Sequence, residues 1–179
     1  MLMQNRVNKL MKFILCVLLI CIVFAGFLYL NNDIGVQKFQ LETDIRSAQK
    51  IKSDWTVNGT VSDTIAAFIS YPYDMTDHTF SVYVNRSGLS FGYFFRGGGS
   101  LTGGDTSIVE YMVEGYKERS FISMNKQQVE CLEIDDGNSI QVIDIDSNKP
   151  FTIVLPVDAG DIAFYDVDRN IVEFHKQQL

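Results

Sequence analysis

The eighteen residues from Phe13 to Leu30 contain no charge, and no globular core element of this size class requires a run like it. At about 1.5 Å of rise per residue the run is about 27 Å long as a helix, close to the roughly 30 Å hydrocarbon thickness of a bilayer. It therefore commits the chain to one membrane-compatible helix at one end and leaves some 150 residues to fold beyond it. A secretory signal would also place Arg6, Lys9 and Lys12 before an apolar stretch. Here, however, the run continues through Phe27-Leu28-Tyr29-Leu30 after the tolerable cleavage point Val23-Phe24-Ala25, with no polar segment before the cut. A retained signal anchor is the expectation. Neither Cys16 nor Cys21 follows the small residue that precedes a lipidated cysteine.

The basic residues before the run have no acidic counterweight, whereas Asn31-Asn32-Asp33 opens the other side. The positive-inside rule then puts residues 1–12 in the cytoplasm as a tail, 13–30 in lipid as the transmembrane anchor, and the remainder outside. After Leu30 the 22 acidic residues outnumber the 12 basic ones by ten. Such a surface disfavours nucleic acid, whose binding needs Lys and Arg to displace phosphate counterions, so no nucleic-acid partner is expected. Cys131 is the one cysteine beyond the run, so no intramolecular disulfide can staple the exported part. It must be held by an apolar core.

Ile34, Leu41, Ile45 and Ala48 keep helical spacing among Gln, Lys, Glu and Asp, which predicts a helical stalk over 31–53. Its narrow stripe suits either another helix or the chain's own domain. From residue 54 onward the period changes to two. Asp63–Tyr71, His78–Val84 and Leu89–Phe95 form a meander, the last two joined by a turn at Asn85-Arg-Ser-Gly88. Strands are expected at 107–114, 119–125, 128–135, 139–145, 151–157, 161–166 and 170–174, with turns at Asp136-Gly137-Asn138 and Asp166–Asn170. Pro150 belongs at the start of a strand. The fold class is all-β: a transmembrane helix and stalk, then an extracytoplasmic domain over 54–179 built as an antiparallel immunoglobulin-like β-sandwich, with a small β-barrel as the alternative.

Arg96-Gly-Gly-Gly-Ser-Leu-Thr-Gly-Gly-Asp105 reads as a flexible loop and lacks the Lys of a phosphate-binding loop. Aromatics crowd the preceding meander, and Tyr93-Phe94-Phe95 must place at least one ring on each face. If the outer face were open, Tyr83, Phe94, Arg96, Gly97, Gly98 and Gly99 would form a binding surface able to stack on a sugar polymer or dock an envelope protein. Asp144-Ile-Asp-Ser-Asn148 and Asp166-Val-Asp-Arg-Asn170 share an oxygen-rich spacing but lack the glycine of a calcium loop and fit tight turns instead. His78, His175 and Cys131 complete a thin catalytic inventory. No catalytic residue, metal site or cofactor is expected.

The order of apolar helix, amphipathic stalk and β-rich head resembles that of type IV pilins and pseudopilins. Those proteins carry Gly before the mature Phe and Glu at its fifth place. Here Lys12 precedes Phe13 and Val17 holds the fifth place. The expected role is noncatalytic binding at the cell envelope, with membrane lipid contacted through residues 13–30 and an envelope protein or cell-wall polymer as partner. The competing expectation is an accessory subunit of a membrane assembly, joined through the span and stalk.

Overall fold

A computed structural model describes residues 2–86, 88, 90–102 and 108–179. It is mostly β, with sheets of antiparallel strands preceded by one apolar helix. Helix α1 (Leu2–Leu30) includes Met11–Leu30, long and apolar enough to cross a membrane. A Schellman motif stops it. The Asp33 N–H donates to the Leu28 carbonyl at 2.9 Å and the Asn32 N–H to the Tyr29 carbonyl at 3.2 Å, with Asn32 at φ 54°.

This stop separates the structure from the expected continuous stalk over 31–53. Residues 33–36 are extended and pair with the chain at 91–93, through the Ile34–Phe91 and Val36–Tyr93 bridges. One 3-10 turn (Lys38–Gln40) and a two-turn helix α2 (Leu41–Ala48) follow. Lys50, at φ 54°, ends α2 in a second Schellman motif, the Ile51 N–H donating to the Arg46 carbonyl at 2.9 Å. Leu41 and Ile45 are fully buried against the domain's own first sheet rather than offered to another helix. Burying them stabilises the docked helix by roughly 3–6 kcal/mol before entropy is counted.

Among the described residues, twelve strands form three open four-stranded sheets. The first is the meander β1 (Thr56–Val61), β2 (Ile65–Tyr71), β3 (Thr79–Asn85) and β4 (Tyr93–Gly99), in that spatial order. The second has the order β12-β5-β6-β9, from Phe174–Gln178, Ile108–Met112, Glu118–Ser123 and Phe151–Pro156. Strand β12 runs parallel to β5, and the other pairings in this sheet are antiparallel. The third has the order β11-β10-β7-β8, from Ile171–Val172, Asp161–Asp166, Val129–Asp135 and Ile140–Asp144.

Side-chain alternation explains why three sheets suffice without disulfides. On β5, Val109 and Tyr111 enter the core shared with Ile65, Ala67, Ile69, Phe80 and Val82 of the first sheet. Ile108 turns the other way, and Phe121 of β6 joins it against Leu132, Ile134 and Phe164 of the third. The second sheet is thus buried on both faces. The first sheet is nearly so, because α2 covers its outer side over Ala66, Phe68 and Tyr83. The layers therefore run helix, sheet, sheet, sheet. The first sheet is a simple meander, an order unlike the Greek key of an immunoglobulin domain.

Candidate functional site

The glycine segment is where expectation and structure part most clearly. Residues 96–99 are not loop but the second half of β4, hydrogen-bonded along β3 with a bulge at Arg96. The part at 103–105 lies outside the described residues, as do Ser87 of the expected turn and Leu89 at the head of the expected return strand. Close packing on both faces accounts for the missing side chains. A Cβ on Gly98 would stand 2.3 Å from Gln49 Nε2 and 2.7 Å from the Phe80 carbonyl oxygen, and one on Gly97 would stand 2.9 Å from Leu179 Cδ2. These glycines admit neighbours of their own chain, Gln49 from the end of α2 and Leu179 from beyond β12.

The six residues expected to share one binding surface are therefore dispersed. Tyr83 is fully buried beneath α2, its hydroxyl donating to Asp44 Oδ2 at 2.7 Å. Burial and the adjoining carboxylate both push that phenol's pKa up. Phe94 is half-buried, with the Arg86 guanidinium stacked 3.9 Å above its ring centroid. Phe95, on the opposite face, meets Tyr83 edge-on at 5.5 Å. Arg96 stays exposed, and the backbone of Gly97, Gly98 and Gly99 forms part of the β4 edge. The aromatic crowding of the meander mostly fills cores, as in the stacked Phe80–Tyr111 pair at 4.4 Å.

The remaining polar features resolve into structural roles. His78 is buried and its Nε2 accepts from the Leu101 N–H at 3.0 Å, anchoring the chain after β4. Cys131 lies on the third sheet, beneath Arg169, whose Nη1 approaches its Sγ at 3.2 Å. Burial pushes that thiol's pKa up, and the guanidinium opposes the rise in part. Since Cys131 lies on the third sheet and His78 adjoins the first, they form no nucleophile–base couple. His175 is exposed on β12.

The two oxygen-rich segments are turns. Asp166 Oδ1 accepts from the Asp168 N–H at 2.9 Å and the Asn170 N–H at 2.8 Å, and Asp146 Oδ1 accepts from the Asn148 N–H at 3.1 Å. Asp136 likewise caps its hairpin, accepting from the Asn138 and Ser139 N–H groups. Among the described residues no three His, Cys, Asp or Glu side chains converge as a metal site.

Comparison with protein-family models, curated proteins and solved structures returns no match.

Backbone donors hold the carboxyls of Asp136 and Asp166 below the ordinary carboxylate pKa. A carboxyl depressed in the folded state contributes stability above its unfolded pKa, and that contribution vanishes as pH falls through the folded one. Stability should therefore drop once pH descends below about 4, the unfolded value. Asp166→Asn keeps the accepting Oδ1 but cannot titrate. Urea unfolding as a function of pH should show a shallower acid slope for this variant than for the wild type.

The surface that sequence reasoning missed is the outer face of the third sheet. There Ile140 and Val142 of β8 stand beside Asp135 and Glu133 of β7, and Ile171 of β11 stands beside Tyr165 of β10. Ile140, Val142 and Ile171 are all exposed. Strand β8 is also an edge, with one side of its backbone ladder unpaired by another named strand. The signal was present in Ile140-Gln-Val-Ile143, where apolar residues occupy both faces of one short strand. Ile143 packs inward against the core while Ile140 and Val142 have no cover.

Proposed function

We propose that the chain is a single-pass, noncatalytic interaction module of the cell envelope, its amino terminus cytoplasmic and its β domain extracytoplasmic. The β8 edge is its contact surface. The supporting observation is an exposed aliphatic edge strand beside a row of carboxylates, which natural sheets ordinarily protect from association. A partner strand added along β8 would satisfy its free backbone groups and bury Ile140 and Val142, and Glu133, Asp135 and Asp144 favour a basic segment. The head's acidic excess supports the same sign of partner and argues for an envelope protein over an anionic polymer.

We carry the β-sandwich reading to the facing first and second sheets. Immunoglobulin-like connectivity stays a proposal that the meander does not favour. The accessory-subunit reading loses its stalk, because Leu41 and Ile45 are spent internally, and keeps only the apolar helix.

A photo-crosslinking residue at Val142 of the full-length protein, expressed in its own membrane, tests the binding reading. A discrete adduct at 142 that is absent at Tyr73, and that is lost on Ile140→Asp or in high salt, is the expected result. Equal or absent labelling at the two positions would remove β8 as the contact surface.

A further inference from the structure

The end of the first sheet nearest α1 carries apolar side chains that the domain leaves uncovered. Phe39, in the 3-10 turn, is 82% exposed, and the bridged pair Ile34 and Phe91 are each 52% exposed. Lys38 places this turn at the same end, its Nζ reaching the Val61 carbonyl oxygen at the close of β1 at 3.4 Å. On the other side of the sheet, Arg86 donates to the Asn32 carbonyl at 3.4 Å. The segment after α1 thus crosses the base of the sheet from β4 to β1, leaving Phe39, Ile34 and Phe91 along its path.

The tether leaves the base little freedom to stand away from the helix. The Asn31, Asn32 and Asp33 N–H groups all bond back to carbonyls of the last turn of α1, and Leu28 in that turn is itself buried. By Gly35 and Val36 the chain is already paired to the head of β4 and the residues before it, the Gly35 N–H donating to the Phe91 carbonyl and the Val36 N–H to that of Tyr93. If Met11–Leu30 fills a hydrocarbon core of about 30 Å, Ile34 begins at most about 14 Å along the chain from its edge, and Phe91 is bridged to it. The headgroup layer on that side is about 5–8 Å thick.

We infer that the base of the head is seated in the interfacial layer of the bilayer that α1 spans, with Ile34, Phe39 and Phe91 inserted among headgroups and upper acyl chains. This rests on the anchor reading above. The occupant is lipid rather than protein because these exposed side chains sit on the segment tethered directly to the end of the span, where Tyr29 and Leu30 are themselves exposed, or are bridged to that segment. Aromatic rings are the side chains that favour this depth. Charge is not the driving term. Lys38, Arg86 and Lys117 lie at this end, but so do Asp33, Asp63 and Glu114, so zwitterionic lipid suffices.

Consequently the head has one preferred orientation on the membrane instead of swinging on a stalk. Tyr73 gives the internal control: it is 96% exposed in the β2–β3 connection, at the far end of seven-residue strands, roughly 20 Å from the base.

The test uses the full-length protein in phosphatidylcholine nanodiscs, with Trp55→Phe removing the native indole and a single tryptophan introduced as Phe91→Trp, Phe39→Trp or Tyr73→Trp. Lipids brominated near the headgroup should quench the indole at position 91 or 39 roughly threefold or more beyond the one at position 73, with blue-shifted emission at the first two. Quenching at 91 and 39 no greater than at 73, in protein that resists alkaline extraction, would overturn the seating while leaving the anchor intact. Protein that alkali releases would overturn both.

Discussion

Arg119→Ala will destabilise the domain by about 3–5 kcal/mol, because it strands a buried carboxylate. Glu110 is fully buried on β5, and its Oε1 receives the Arg119 Nη1 at 2.9 Å from the neighbouring strand. Among the described residues its second oxygen meets Lys176 Nζ, 3.8 Å away on β12, and accepts no hydrogen bond. Removing the guanidinium leaves a charge that water cannot reach and one distant ammonium cannot satisfy. The double replacement Glu110→Leu with Arg119→Met should recover most of the loss, since it removes the desolvation cost along with the attraction. Urea unfolding of the full-length protein in micelles, followed by Trp55 fluorescence, reads both. A single variant within about 1 kcal/mol of wild type, or a double variant no better than the single, would show that the pair is not what holds β5 to β6 at this point.

Phe121→Ala should cost a similar amount, about 3–5 kcal/mol, by a different route. The ring is fully buried between the second and third sheets and meets Phe164 at 5.3 Å and Phe174 at 5.4 Å, both edge-on. Its loss combines transfer energy with a cavity that three strands from two sheets cannot collapse to fill. Tyr73→Ala, which removes an aromatic side chain from a solvent-exposed site, should change stability by no more than about 0.5 kcal/mol in the same assay. Equal effects for the two would mean that the second and third sheets are not packed as one core.

The strands between residues 108 and 166 were legible because they are short, alternate cleanly and end at Asp, Asn and Gly turns. Strands β5 to β10 fall within a residue or two of the expected segments. Strand β12 lay beyond the last expected strand, which ended at 174, and three further elements were missed. Strand β1, Thr-Val-Asn-Gly-Thr-Val61, is too polar to announce itself, and it is fixed by cross-sheet bonds such as Thr60 Oγ1 donating to the Thr152 carbonyl at 2.7 Å. Glycines at 97–99 read as loop because local preference cannot register that Gln49 and Leu179 press on them from distant sequence positions. The stalk expectation gave Leu41 and Ile45 the right helical period. Their partner, the face of Ala66, Phe68 and Tyr83, became visible only once the sheet existed.

The six residues expected to share a binding surface are dispersed for the same reason, since α2 covers the face that carries Tyr83 while Phe94 lies on the other. The β8 surface escaped notice because Ile140 and Val142 look like ordinary core residues until their side of the sheet is known to be bare.

Strand β12 gives the middle layer a temporal dependence. It lies parallel beside β5, yet six strands are synthesised between them. During emergence of the chain, β5, β6 and β9 can assemble with β5 as a raw edge and without the Lys176 ammonium near Glu110. A ribosome-stalled chain ending before residue 174 should therefore expose β5 to pairing with any strand at hand. The head becomes safe from such mispairing only when the segment that also brings Leu179 against Gly97 has arrived.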